Sequence, residues 1–224
     1  MANLTQLKTL ESLNGFLLVD KPEGIPFSAV VKAVKRKFNL IKVGHGGSLD
    51  AMASGLFILL IGDANQFVER VMNADREYEG SLKFGSTTNT GDKFGEAIET
   101  QSANWKIEDF KGDIFQTEPR FAAIRKEGSA EYEVVDTGDH SQFMAHVYRF
   151  QPEGTEGECK FSLIASKQVL PRAMALEMGA TLMSLRRTKQ GKFSVVDAIP
   201  FAELLELEAN AFPGRVMSIG RALA

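Results

Sequence analysis

Gly44-His45-Gly46-Gly47-Ser48-Leu49-Asp50-Ala51-Met52-Ala53-Ser54-Gly55 runs directly into Leu56-Phe57-Ile58-Leu59-Leu60-Ile61, and Gly62 closes the run. Six apolar residues in a row between glycines read as a buried strand. The twelve residues before it carry one carboxylate, Asp50, among four glycines and a histidine. Glycine is used where backbone must turn sharply or approach another molecule closely. Asp50 is therefore held on a loop anchored to the core, where it can be presented to a ligand. An aspartate in such a loop can equally serve its own turn through local hydrogen bonds, and the spacing alone leaves both roles open.

The residues on either side add to this. Upstream stands Gly15-Phe16-Leu17-Leu18-Val19-Asp20-Lys21-Pro22-Glu23-Gly24, then Ser28. Downstream stand Arg76-Glu77-Tyr78 and Gly85-Ser86-Thr87-Thr88-Asn89-Thr90-Gly91-Asp92-Lys93-Phe94-Gly95. In this order and spacing the four segments resemble the TruB family of pseudouridine synthases. Its pattern runs G-x-L-x-x-D-K-P-x-G-x-x-S, G-H-x-G-x-L-D-P-x-A-x-G, K-x-Y and G-x-x-T-x-T-x-D-x-x-G. The resemblance continues more weakly through Gly112-Asp113-Ile114, Pro119, Gly128, Tyr132-Glu133, Ser166-Lys167, Arg172 and Leu185-Arg186-Arg187, covering most of residues 14 to 200. It implies the pseudouridine synthase catalytic fold, an α+β architecture with a mixed, mostly antiparallel central sheet flanked by helices and an active-site cleft across the sheet. Strands and helices in irregular order point to the same class.

Composition fits one domain over residues 1–224, with its core at about 14–200. Of the 224 residues 44% are hydrophobic and 25% charged, ordinary globular proportions. The single cysteine, Cys159, excludes an internal disulfide, and with His45, His140 and His146 it makes no zinc-type spacing, so no metal is expected. Cys159 reads as an incidental residue at the start of a strand. Met1 to Leu13 has no basic segment followed by an apolar one, and no apolar run approaches a membrane span. A cytoplasmic, monomeric protein is the expectation. The glycine pattern is neither a Walker loop nor G-x-G-x-x-G, so no cofactor is expected. The net charge of −3 is unusual for a protein that grips RNA, but its distribution matters more. Residues 21–50 carry +4 and residues 160–192 carry +6, while residues 92–158 carry −8. An RNA footprint should therefore use the two ends.

Along the chain, Phe16 to Asp20 reads as a strand. Ser28 is positioned to cap a helix with Val30, Val31, Val34 and Phe38 on one face and Lys32, Lys35, Arg36 and Lys37 mostly on the other. Gln66 to Met72 reads as a short helix and Tyr78 to Phe84 as a strand. Ile107 to Phe115 looks helical, and a polar excursion follows from Gly128 to Thr137, ending near Gly138. Further strands are expected over Phe143 to Phe150 and Cys159 to Ser166. Pro171 should open a helix reaching about Met183, with Met174, Met178 and Leu182 in the core. A last strand over Phe193 to Ala198 and a helix over Phe201 to Leu207 close the pattern. The family often carries a small C-terminal RNA-binding domain, which too few residues past about 200 remain to build.

The resemblance assigns roles residue by residue. Asp50 matches the catalytic aspartate, which attacks the sugar or the base or assists glycal formation. Arg172 matches the arginine that pairs with it, favouring its charged form and fixing its direction. Tyr78 matches the tyrosine that stacks on the target base. His45 matches the histidine in the RNA loop near the flipped base, Leu185 an apolar residue against the uracil, and Lys21 with Pro22 a structural turn beneath the site; His45, Lys21, Leu170 and Leu185 are the expected substrate-binding positions. The segment near 120–140 corresponds to an insertion that grips RNA. The partner implied is RNA, most naturally a T-loop uridine of tRNA.

Three departures stand out. Ala51 replaces the proline after the aspartate, Gln168 takes a glycine position, and Leu170 stands where the family has a second active-site tyrosine. Pro171 further restricts the backbone of Leu170. Ser129, Ala130 and Asp136 stand where basic residues are common in the RNA-gripping excursion. These departures keep open an alternative, a catalytically weakened paralogue that binds or refolds RNA.

Overall fold

The computed structural model describes residues 12–98, 105–125, 132–136, 138, 141–154 and 156–224. Fourteen strands occur among them, in chain order β1 (Gly15–Lys21), β2 (Val43–His45), β3 (Ser54–Ile61), β4 (Arg76–Phe84), β5 (Thr87–Thr88), β6 (Ala97–Ile98), β7 (Gly112–Thr117), β8 (Phe121–Arg125), β9 (Tyr132–Asp136), β10 (Gln142–Pro152), β11 (Glu158–Ala165), β12 (Ala180–Gln190), β13 (Phe193–Ser194) and β14 (Ile199–Pro200). Five short helices accompany them: α1 (Phe27–Lys37), α2 (Val68–Met72), α3 (Pro171–Glu177), α4 (Phe201–Glu206) and α5 (Ile219–Leu223).

Ten of the strands form one sheet, ordered β14-β1-β3-β12-β4-β11-β10-β7, with β2 also on β3 and β13 on β12. The β1–β14 and β3–β12 pairs are parallel and the rest antiparallel. This is the mixed, mostly antiparallel α+β sheet expected. The unbroken apolar run of β3 follows from its central place. Phe57, Leu59 and Ile61 enter the larger core with Leu17 and Val19 of β1, whereas Leu56, Ile58 and Leu60 enter a second core with Phe16, Leu18 and Phe193. A strand covered on both faces has no polar side.

Several element boundaries differ from the sequence reading, each for a local reason. Helix α1 begins at Phe27 after Pro26, which has an extended ψ of 139° and makes no side-chain cap, so Ser28 is a helical residue and not the cap. Residues 107–115 are not one helix. A 3-10 turn covers Ile107–Phe110, Gly112 takes φ +74°, and β7 follows with Ile114 and Gln116 buried and Phe115 exposed. Helix α3 stops at Glu177 because Gly179 (φ +65°) takes the left-handed conformation that ends a helix. Met174 and Met178 are buried as expected, but Leu182 is a residue of β12. The last strand is split by a 3-10 turn at Val195–Asp197, where the Ser194 side chain accepts from the Val196 amide. The excursion near Gly128 contains β9, paired with β8; its turn, with Gly128, Ser129 and Ala130, lies outside the described residues, as do Thr137, His140 and residues 1–11.

Among the described residues no helix is long and apolar enough to cross a membrane, and no cluster of three or more His, Cys, Asp or Glu could hold a metal ion.

Candidate active site

The loop from Gly46 to Ala53 leaves β2 and returns as β3, and its backbone is held from beneath by side chains of other strands. Arg187, fully buried on β12, donates from Nη1 to the Ser48 carbonyl at 3.0 Å and from Nε to the Leu56 carbonyl at 2.8 Å. Gln190, also fully buried on β12, donates to the carbonyls of Gly46 and Val71. Lys21, fully buried at the end of β1, donates from Nζ to the carbonyls of Pro22 and Ile25 at 2.8 Å each and of Ala51 at 3.4 Å. The Gly24 amide reaches the Ala51 carbonyl at 2.7 Å. Gly55 (φ +101°) lets β3 approach β12, since a Cβ there would collide with the Arg187 backbone.

These tethers fix the carbonyls of Gly46 and Ser48 before Asp50 and of Ala51 and Leu56 after it, and the Asp50 side chain projects outward and is half exposed. Its Oδ2 accepts from Arg172 Nε at 2.9 Å. Arg172 comes from the first turn of α3, where Pro171 opens the helix. Its side chain is 14% exposed, donates from Nη1 to the Thr90 carbonyl at 2.8 Å, and has Asp92 Oδ2 4.0 Å from its Nε. Asp92 is buried in the 85–95 loop and accepts from the Phe94 amide at 2.9 Å and the Thr90 hydroxyl at 3.0 Å. Burial pushes its carboxyl above the ordinary range, against the pull of the Phe94 amide and Arg172. The guanidinium is thus braced between an outer and an inner carboxylate.

The other expected site residues take more varied places. Tyr78 lies on β4 opposite Arg187 of β12 and Leu163 of β11, and only 5% of it is exposed. Leu185 shares that face two residues away, opposite Gly80, and is equally buried. Burial lowers the Arg187 pKa, and the Tyr78 hydroxyl and Asp50 oppose that shift. His45 packs its ring 5.0 Å from Phe27 and 5.9 Å from Phe57, and its Nδ1 accepts from the Gly47 amide. Burial lowers its pKa, favouring the neutral imidazole such a contact requires. Leu170 precedes α3, and its peptide is clamped by the buried Gln116: the Leu170 amide donates to Oε1 at 2.9 Å, and Nε2 donates to the Leu170 carbonyl at 3.2 Å. Where the family has a tyrosine hydroxyl, this chain has an apolar side chain on a fixed backbone.

The structure therefore joins Asp50 with Arg172 directly, and Arg187 lies beneath the loop beside Tyr78. Sequence reading gave no part to Asp92, Arg187, Gln190 or Gln116. Asp92 was the one acid of the quoted 85–95 motif and Arg187 lay in the Leu185-Arg186-Arg187 match, so those two carried a signal. Gln190 and Gln116 carried none.

Two expected results follow from the tethers. Burial holds the Lys21 ammonium at a pKa of about 8, down from 10.5, with Asp50 favouring the charge. The folded protein loses this proton before the unfolded chain does, so unfolding takes one up between about pH 8 and 10.5. Stability from this group therefore rises with pH across that window, and its cost is fully present below about pH 8. Relative to Lys21→Met, the wild type should gain up to about 1.4 kcal/mol per pH unit there, read by urea unfolding in steps of about one pH unit. Parallel profiles would contradict it. Gln116→Leu should lower stability by about 1–3 kcal/mol, because it leaves the Leu170 amide without its partner and the Leu170 carbonyl with only the Met174 amide; an unchanged urea midpoint would show that the clamp does not matter.

The TruB family pseudouridylate synthase (N terminal domain) profile matches residues 35–153. A tRNA pseudouridine synthase B of Aromatoleum aromaticum is 32% identical over 219 residues, which are 90% of this chain and 71% of that protein. One from Opitutus terrae is 33% identical over 226 residues, 91% of this chain and 94% of the relative. In fold, the chain is similar to the crystal structure of a Cbf5-Nop10-Gar1 complex, with a TM-score of 0.69 at 21% identity, covering 97% of this chain and 63% of that one. With the profile spanning more than half of its length and the relatives nearly all of it, the chain belongs to the TruB family of pseudouridylate synthases.

Proposed function

We propose that the protein isomerises uridine to pseudouridine in tRNA, at a T-loop position, acting as a cytoplasmic monomer with Asp50 as the catalytic carboxylate. The observation that carries this is the 2.9 Å contact between Asp50 and Arg172, residues 122 apart in the chain, at the mouth of a loop tethered to the sheet. The reaction breaks the bond between uracil N1 and the ribose, turns the base, and joins its C5 to the same sugar carbon, while the C5 proton leaves to water and N1 takes up a proton. No electron is gained or lost. A carboxylate held in one direction, an aromatic and apolar floor and exclusion of water are what such a reaction needs. Arg172 holds the Asp50 carboxylate, and Asp92 holds Arg172. Tyr78 and Leu185 supply the floor, each through the small part of its surface left open. The uridine must first leave its stack, and an aromatic contact offsets part of that cost. The hairpin of β8 and β9 lies in the 120–140 segment proposed to grip RNA.

The test is incubation of the purified protein with unmodified tRNA transcript in buffer without cofactor, followed by chemical mapping of pseudouridine. The expected result is one modified uridine in the T-loop. Binding without any modified position would identify a non-catalytic RNA-binding relative instead.

A further inference from the structure

The two basic stretches of the sequence meet different fates in the fold. Of the seven cations between residues 160 and 192, Arg172 faces Asp50, Arg186 pairs with Asp20 at 2.6 Å, Lys189 pairs with Glu77 at 3.3 Å, Arg187 is buried, and Lys167 donates to Asn73. Lys160, Lys167 and Lys192 are exposed without an ion pair among the described residues, and of these Lys167 is held by its hydrogen bond to Asn73. The first stretch is the reverse. Lys21 is buried, but Lys32, Lys35, Arg36, Lys37 and Lys42 are all exposed, and none has an ion pair among the described residues. Most of the second stretch is committed to the protein, whereas five cations of the first face solvent.

Their arrangement is ordered. At 3.6 residues per turn, Ser28, Ala29, Lys32, Lys35 and Arg36 form one stripe of α1, opposite the buried Val30 and Val34. Small uncharged residues occupy the end next to the active-site loop, where the Gly24 amide bonds to Ala51 and the Phe27 ring lies 5.0 Å from His45. The cations begin about 8 Å along the helix from Phe27 and extend to about 14 Å at a rise of 1.5 Å per residue. The helix dipole favours bases in its last turn, which accounts for Lys35, Arg36 and Lys37 but not for Lys32 or Lys42. Lys32 and Arg36 are moreover like charges four apart, which destabilises a helix unless an anion lies between them.

We propose that the Lys32–Lys35–Arg36 stripe of α1 is a track for the phosphates of the RNA strand that flanks the target nucleotide. It rests on the reading of the chain as an RNA-modifying enzyme and adds where the backbone lies. Phosphate contacts carry no sequence information, so the track sets affinity, not the choice of uridine.

The test compares the wild type with Lys32→Gln/Lys35→Gln/Arg36→Gln, with the charge-keeping Lys32→Arg/Lys35→Arg/Arg36→Lys, and with Lys160→Gln/Lys192→Gln. Affinity for unmodified tRNA is measured against salt, alongside pseudouridine formation at saturating RNA. Each phosphate contact removed should flatten the slope of log K against log salt by about 0.7–0.9. The triple glutamine variant should therefore lose about 2–3 in slope while its rate at saturation is unchanged; the other two variants should keep the wild-type slope. An unchanged slope in the glutamine variant, with a wild-type unfolding midpoint, overturns the proposal, and so does an equal loss in Lys160→Gln/Lys192→Gln. A wild type that binds through α1 but forms no pseudouridine would sink the catalytic reading and leave the phosphate track standing.

Discussion

Asp50→Asn should bind tRNA as the wild type does and lose pseudouridine formation by at least about 10³-fold, the scale on which an essential catalytic group acts. Asparagine keeps the shape of the side chain, and its oxygen can still accept from Arg172 Nε, which lies 2.9 Å from Oδ2 in the wild type. What it removes is the charge. Because the Asp50 side chain is half exposed and makes a partly solvated ion pair, stability should change by no more than about 1 kcal/mol. The three readings that separate chemistry from folding and binding are the single-turnover rate, the urea midpoint and the tRNA affinity. Activity within tenfold of wild type would remove Asp50 from the reaction.

Arg187→Met should be the most damaging change outside the exposed site. It leaves the Ser48 and Leu56 carbonyls without their donors in a region where Arg187 itself is fully buried. Each lost partner costs about 1–3 kcal/mol. Relief from burying a guanidinium, whose pKa burial already lowers, offsets part of that, so a net loss of about 2–4 kcal/mol is expected. The Ser48 tether stands two residues before Asp50, and a displacement of the carboxylate by about 1 Å can cost on the order of 10²-fold in rate. The rate at saturating RNA should therefore fall by about 10- to 100-fold with KM little changed. Arg187→Lys should not restore it, because a single ammonium cannot reproduce the fork that serves two carbonyls. A methionine variant as stable and as fast as the wild type would show that the catalytic loop holds itself.

The parts of this molecule legible in its sequence are those written in neighbouring residues. The run at 56–61 gave a central strand, the glycines and Asp50 gave the loop, and Pro171 gave the start of the helix that carries Arg172. What reading along the chain missed is set by strand order. Gln190 meets Gly46 and Arg187 meets Ser48 across more than 130 residues, because β12 crosses between β3 and β4. No spacing rule reaches that far. The basic count over 160–192 misled for a related reason: Arg186 and Lys189 have their acids, Asp20 and Glu77, on β1 and β4. Helix ends at Glu177 and Phe110 were signalled by Gly179 and Gly112, and the apolar spacing that continued past them, as at Leu182, belongs to the following strands.

The assignment of Asp50 is tested most directly by hydrogen release from the target base. With enzyme in excess over tRNA carrying tritium at C5 of its uridines, joining C5 to the sugar expels that hydrogen to water. The wild type is expected to release one equivalent per target uridine, and Asp50→Asn none while it remains bound to the RNA. Release by Asp50→Asn at the wild-type rate would contradict the account.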